Sequence, residues 1–352
     1  MGDAGPVLLG PNQPQRFYRG GSKIAAFRGG PARHGSDHLP EDWVGSATTV
    51  FGTASEGLTR LPDGRLLRDA ICDDPQGYLG PRHAERFGAS PALLVKLLDA
   101  GQRLPVHCHP GDAFAQAHLA SAWGKTEAWI VIDAAPGSEV YIGFSQDVSE
   151  PALAAWVAGQ SPATLRALNR VPVQTGDAIL IPAGLPHAIG EGVFLVELQE
   201  PTDLSVLLEW DSFPIDGPAE GHLDLGYDLA LRCVDRSAWD PARLAGLRRP
   251  ASAGPPVSSV FPAGADPFFA AQRIRPEAGP VALGPVALDA AFAILVVLSG
   301  DGLLRTEQGD ELPLARGMTV LLPYAAGRSE ISGGCELIRC LAPNGGHLDA
   351  GA

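Results

Sequence analysis

The punctuation of this chain most constrains what it can fold into. Glycine (43 residues) and proline (32 residues) recur between short apolar runs. A chain interrupted this often has little room for long helices and reads as many short strands joined by turns. Candidate strands span 93–98, 104–109, 128–133, 140–144, 178–182 and 193–199, each bounded by Gly, Pro, Asp or Asn. The same pattern returns at 291–298, 302–306, 319–323 and 336–341. Helical spacing is rarer. Leu153, Trp156 and Val157 predict a helix over Glu150–Ala158, with Ser149 as its N-cap and Gly159 as its stop, and a second helix is expected over 112–123.

Residues 211–256 break this pattern with Asp, Pro, Gly and Arg and read as a connector. The expected division is therefore a first domain over 1–210, the connector, and a second domain over 257–352. A weak internal repeat crosses the connector. GDAILIPAGLPH (176–187) and GMTVLLPYAAGR (317–328) share Gly, Leu and Pro at equal spacing. The first copy ends in His187 and the second in Arg328, so only the first keeps a candidate ligand there.

Charge and cysteine use narrow the function classes. A net charge of -14 argues against a non-specific hold on nucleic acid or on an anionic membrane, since both need a basic face. The longest apolar run, 290–298, is far short of the roughly 20 residues that span a bilayer. Five cysteines are too few and odd in number for a disulfide framework, and the N-terminus has no signal-like segment, so the expectation is a cytoplasmic protein. Sequence leaves the oligomeric state open.

The densest chemical signal is the run 104–110, LPVHCHP. On a strand, side chains alternate, so His107 and His109 share one face and Cys108 takes the other. The same rule sets Lys125, Glu127 and Trp129 side by side, offering a carboxylate and a cation. His187 follows a strand and a Pro-Ala-Gly-Leu-Pro turn. Three imidazoles and one carboxylate make a four-ligand shell with room for water or substrate, as a catalytic metal requires. Lysine occurs only at positions 23, 96 and 125 among 26 basic residues, so Lys125 beside Glu127 is a candidate substrate contact. Glu197 stands in an apolar strand, where a carboxylate must pair or have a raised pKa; general base and structural hydrogen bonding are both open to it.

These residues carry a resemblance. Gly176, then Pro182-Ala183-Gly184, then His187 match the second cupin motif, and His107-Cys108-His109 with Glu127 resembles the first. More narrowly, LLVKLLDAGQRLPVHCHPGDAF, GKTEAWIVID and the run from GDAILIPAGLPHAIGEG to EWD resemble type I mannose-6-phosphate isomerases over about residues 17–210, with weaker similarity in SKIAAFRG and PEDWVGS. The resemblance implies two cupin (double-stranded β-helix, jelly-roll) barrels with a few inserted helices, the second barrel degenerate and without ligands. It implies an aldose–ketose isomerase that interconverts mannose 6-phosphate and fructose 6-phosphate through a cis-enediol. One divalent metal, zinc first and manganese or iron next, would be held by His107, His109, Glu127 and His187. Lys125 would contact a small sugar or sugar phosphate, and Glu197 is the candidate base, with Lys125 the alternative.

The chain departs from that family twice. His107 stands where Gln is typical, and Leu207 stands where an Arg is expected ten residues beyond the acid. Arg28, Arg33, Arg232 and Arg328 are the candidates to replace that cation. Two other readings follow from these departures: another metal-dependent cupin, either an isomerase of unphosphorylated sugars or an oxygenase, or a sugar-binding cupin without turnover.

Overall fold

The computed structural model describes residues 5–30, 37–251, 254–276 and 284–343. Its first half contains β1 (Val7–Leu8), β2 (Glu41–Val44), β3 (Leu94–Asp99), β4 (His107–Cys108), β5 (Glu127–Ala134) and β6 (Glu139–Phe144). It continues through β7 (Leu168–Pro172), β8 (Ala178–Ile181), β9 (His187–Ile189), β10 (Val193–Gln199), β11 (Val206–Leu207) and β12 (Arg248–Arg249). The second half contains β13 (Val257–Ser259), β14 (Ala270–Ile274), β15 (Val286–Leu288), β16 (Ala293–Ser299) and β17 (Asp301–Thr306). It ends with β18 (Glu311–Ala315), β19 (Thr319–Leu322), β20 (Ser329–Gly333) and β21 (Glu336–Leu341). The fold is mostly β, as expected, and matches the cupin class.

The strands form four antiparallel sheets. A six-stranded sheet runs β12-β8-β5-β10-β3-β2 and a five-stranded sheet runs β11-β4-β9-β6-β7. The second half repeats the plan with orders β1-β19-β16-β21-β14-β13 and β15-β20-β17-β18. Strand for strand, β8, β5, β10, β3 and β2 correspond to β19, β16, β21, β14 and β13. The weak repeat in the sequence thus falls on equivalent strands, β8 and β19, each entered through a left-handed glycine, Gly176 (φ 95°) and Gly317 (φ 86°). A Cβ on Gly317 would lie 1.9 Å from the Phe27 carbonyl oxygen, so the residue type is fixed there by space as well as by φ.

Alternation along the strands builds the core. On β16, Ile294 and Val296 join an apolar core shared with Val95, Ile130, Ile179 and Val196 of the first half. Ala293, Leu295 and Val297 face a second core with Leu304, Leu314, Val320 and Ile331. That is why this strand is apolar throughout: it is buried on both faces. The connector segment packs against the first half, where Leu223, Leu231 and Val234 meet Val106 and Cys108. Its β12 extends the first sheet by pairing Arg248 with Ile179.

Two predicted elements are shorter than expected. The helix foreseen over 112–123 covers Asp112–His118, because Ala120 takes a left-handed backbone (φ 49°) that ends it. The strand foreseen over 104–109 pairs only at His107–Cys108, since Pro105 and Pro110 have no N–H to give a ladder. The helix Glu150–Ala158 forms as predicted, with the Ser149 hydroxyl accepting from the Ala152 N–H. Among the described residues, no helix is long and apolar enough to cross a membrane.

Candidate functional site

The site is built between the first two sheets. In the five-stranded sheet, β4 is the neighbour of both β9 and β11, so His107 lies opposite His187 on one side and Leu207 on the other. His109 follows two residues later on the same face. The six-stranded sheet supplies Glu127, opposite Ile181 and Gln199 at the start of β5. Metal-capable nitrogens of His107, His109 and His187 lie within 4.8 Å of one another.

The backbone sets the tautomers. Nδ1 of His107 lies 2.9 Å from the Pro105 carbonyl, that of His109 2.8 Å from the Leu204 carbonyl, and that of His187 2.8 Å from the Leu185 carbonyl. A carbonyl only accepts, so each Nδ1 carries the proton and each Nε2 presents a lone pair. His187 Nε2 is buried and has no hydrogen-bond partner. Glu127 Oε2 lies 3.0 Å from His109 Nε2, and Glu127 Oε1 lies 3.4 Å from His187 Nε2 and accepts from Trp129 Nε1 at 2.9 Å. Three convergent lone pairs, one of them orphaned, beside a carboxylate fit a divalent metal with an N3O donor set.

Electrostatics agree with ligands kept in their binding forms. Burial first, and then the Lys125 ammonium, push His109 down to about 3. Burial and the neighbouring imidazoles push His107 well below the usual histidine range. Burial would raise Glu127, but Lys125 and His109 outweigh it and hold the carboxyl well below its ordinary value. Lys125 Nζ is 2.8 Å from Glu127 Oε2 and 3.0 Å from His109 Nε2, so the structure places it at the ligand cluster.

From this cluster a cleft of about 480 Å³ extends along the sheet, lined by Arg16, Glu41, Lys96, Glu197, Asp203 and Leu207 among others. Lys96 and Glu197 in its wall belong to a row across four strands: Trp43, Lys96, Glu197 and Trp129 stand opposite one another in register. Lys96 Nζ bridges Glu197 Oε1 (3.3 Å) and Glu41 Oε2 (3.5 Å) and lies 4.8 Å from the centre of the Trp43 ring. Apart from that ion pair, Glu197 Oε1 has no hydrogen-bond partner. Burial and Glu127 raise the Glu197 carboxyl above its ordinary value, and Lys96 only partly offsets them. Trp43 is a core side chain whose Nε1 donates to Glu41 Oε2 at 2.6 Å.

The structure gives the missing cation a different neighbourhood from the one expected. Arg28 is bound to Asp42 at 2.5 Å, Arg328 lies 3.9 Å from Asp289 in the second half, and neither lines the cleft. Arg232 does not line it either, and Arg33 falls outside the described residues. Arg16 does, with Nη1 3.2 Å from Asp203 Oδ2 and Nη2 3.3 Å from Oδ1. Burial would weaken its charge, but Asp203 and Glu41 hold its pKa up. Sequence reasoning missed Arg16, Glu41, Lys96 and Asp203. The rarity of lysine was a signal for Lys96 as much as for Lys125.

In the second half the equivalent positions carry other side chains. Where Glu127 meets Ile181 and Gln199, Ala293 meets Leu322 and Leu341. Where Lys96 and Glu197 pair, Gln272 and Arg339 pair, with a hydrogen bond of 3.2 Å.

Comparison with known proteins places this geometry. A family model described as mannose-6-phosphate isomerase, cupin domain, matches residues 284–342. Mannose-6-phosphate isomerase of Streptococcus mutans is 37% identical over 133 residues, covering 37% of this chain and 41% of that protein. Mannose-6-phosphate isomerase ManA of Bacillus subtilis is 28% identical over 216 residues, covering 60% of this chain and 63% of that protein. The chain thus spans about two fifths to three fifths of these curated relatives. The crystal structure of the Bacillus subtilis mannose 6-phosphate isomerase superposes with a TM-score of 0.74 at 22% identity, over 96% of this chain and 99% of that one. A mannose 6-phosphate isomerase bound with zinc and yttrium superposes with a TM-score of 0.70 at 18% identity, over 96% and 100% of the two chains.

Proposed function

We propose that the chain is a metal-dependent aldose–ketose isomerase of the type I phosphomannose isomerase family in the cupin superfamily, the family whose members it resembles. The observation that carries the proposal is the convergence of three imidazoles, two of them with Nε2 within 3.4 Å of Glu127, at a cleft that also holds Lys125 and Glu197. His107, His109, His187 and Glu127 would hold the metal, with zinc first because a relative is solved with it. When bound there, a divalent metal would supply Lewis acidity to the sugar's carbonyl and so would acidify the neighbouring C–H.

The chain's own groups do the rest. Glu197 takes the proton from C2 of the aldose and returns it to C1, leaving a cis-enediol between the two transfers. Its raised pKa keeps it basic enough to take a proton and acidic enough to return it. Lys125, held against Glu127 and His109, donates toward the oxygen on which charge develops and serves the hydroxyl proton that moves between O2 and O1. Trp129 fixes the carboxylate of Glu127, while Leu104 and Leu207 keep water from the cleft.

The test is proton exchange. In deuterated water, metal-loaded protein should place deuterium at C1 of the ketose and C2 of the aldose. His109→Ala or Glu127→Gln should lose bound metal and exchange together. Full turnover by metal-stripped protein would overturn the proposal.

A further inference from the structure

The cleft beyond the histidines discriminates between kinds of sugar. Three cations line it among the described residues, and carboxylates already hold each one. Arg16 is engaged by both oxygens of Asp203, and its Nε lies 3.4 Å from Glu41. Lys96 is held between Glu41 and Glu197, and Lys125 by Glu127. Four carboxylates therefore stand against three cations. If Glu127 held a metal, Lys125 would be freed, but Lys125 stands 3.0 Å from His109 Nε2, at the end of the cleft where C1 and C2 would react. A phosphate ester on C6 lies four carbons beyond C2, away from that ammonium.

The rest of the wall offers little to an anion. Phe17, Leu98, Leu104, Ile189 and Leu207 are apolar, and Leu207 stands directly opposite His107. A phosphate dianion must exchange its water for uncommitted cations or N–H donors. Arg16 keeps N–H groups that could reach a ligand, but its charge is already matched by Asp203 and Glu41, so it offers a dianion little net attraction. Neutral hydroxyls make no such demand. They donate to carboxylates and accept from ammonium or guanidinium groups, so the same paired wall is a hydrogen-bonding surface for a polyol.

We propose that the substrate is an unphosphorylated aldose or ketose, its hydroxyls bonded along the Arg16–Asp203 and Lys96–Glu41 pairs, and that Leu207 makes the site reject the phosphate ester. The proposal rests on the isomerase reading of the same site and names its substrate class. The experiment uses the full metal-loaded chain and compares mannose, fructose and a pentose aldose–ketose pair with mannose 6-phosphate and fructose 6-phosphate. It measures binding by ligand-observed NMR and C1/C2 exchange in deuterated water. The expected result is that a neutral sugar binds and exchanges with at least a ~10-fold advantage in kcat/KM over its phosphate. In Leu207→Arg, fructose 6-phosphate should gain ~10-fold to ~100-fold in affinity relative to fructose, the scale of one charge-assisted bond. Binding of either phosphate as tightly as the neutral sugars, or of no neutral sugar at all, overturns the proposal. Neutral-sugar binding without exchange supports the substrate class and overturns the isomerase reading, so the two failures are told apart.

Discussion

Lys96→Met is the perturbation whose cost follows most directly from the geometry. Lys96 is almost wholly buried, and its Nζ serves Glu197 at 3.3 Å and Glu41 at 3.5 Å. Methionine preserves most of the stem and removes the charge. Glu41 would keep Arg16 and the Trp43 indole N–H, but Glu197 Oε1 has no other partner. Removing one member of a buried ion pair costs about 3–5 kcal/mol, because it leaves the other charge uncompensated. The carboxyl can escape by taking a proton, which raises its folded pKa further above the unfolded value of about 4.3. A raised folded pKa means stability that is full below the unfolded pKa and lost as pH rises toward the folded one. The penalty should therefore be small near pH 4 and grow by at most about 1.4 kcal/mol per pH unit to its full size by pH 8. Guanidinium denaturation at both pH values measures it. The double change Lys96→Met with Glu197→Gln should recover most of the loss, since it removes the orphaned charge. A single variant within about 0.5 kcal/mol of the parent at pH 8, or a penalty that ignores pH, would refute the argument.

His187→Ala should abolish stoichiometric metal while leaving the far-ultraviolet circular dichroism unchanged, because the imidazole is an end-of-strand ligand whose Nε2 has no structural partner; elemental analysis after dialysis checks it. Glu200, whose carboxyl burial raises to about 7 while the Thr126 N–H bonds it at 2.7 Å, should make the parent lose stability between about pH 4.5 and 7. The group takes up a proton on folding in that window, so Glu200→Gln should flatten the melting temperature against pH there and remove a slope worth about 3 kcal/mol at most. Gly317→Ala should lower the melting temperature more than an exposed Gly→Ala change such as Gly309→Ala, since only Gly317 has a carbonyl oxygen 1.9 Å from the new methyl and both have positive φ.

The grouping of the candidate ligands was legible because a period of two is a strong rule over three residues. His107 and His109 share a face whether or not the strand continues, and Lys125, two residues before β5 begins, stands on the same side as Glu127. Strand ends were less legible, since Pro105 shortens the ladder without altering the alternation. The rest of the cleft was hidden because its partners are far apart in sequence. Arg16 and Asp203 are separated by 187 residues, and nothing local marks them as a pair. The search for a substitute for the cation absent at Leu207 therefore named arginines with commitments elsewhere. The repeat was visible at one strand, and the full duplication emerged only from the matching sheet orders, which register defines and composition does not.

The edge strand β1 of the six-stranded sheet in the second half has a consequence for how the protein is made. β1 pairs Val7 with Leu321 and Leu8 with Val320, and Arg28 adds a bond of 3.1 Å to Thr319. The earliest strand to leave the ribosome thus waits for nearly the last. Until β19 is made, β1 has no partner strand, and Leu9 lacks part of the packing that buries it. Closing so long a loop is slow. A contact that ties the N-terminal segment to the second half would then form late in synthesis, and a nascent chain stalled before residue 319 should depend on a chaperone to shield the unpaired β1.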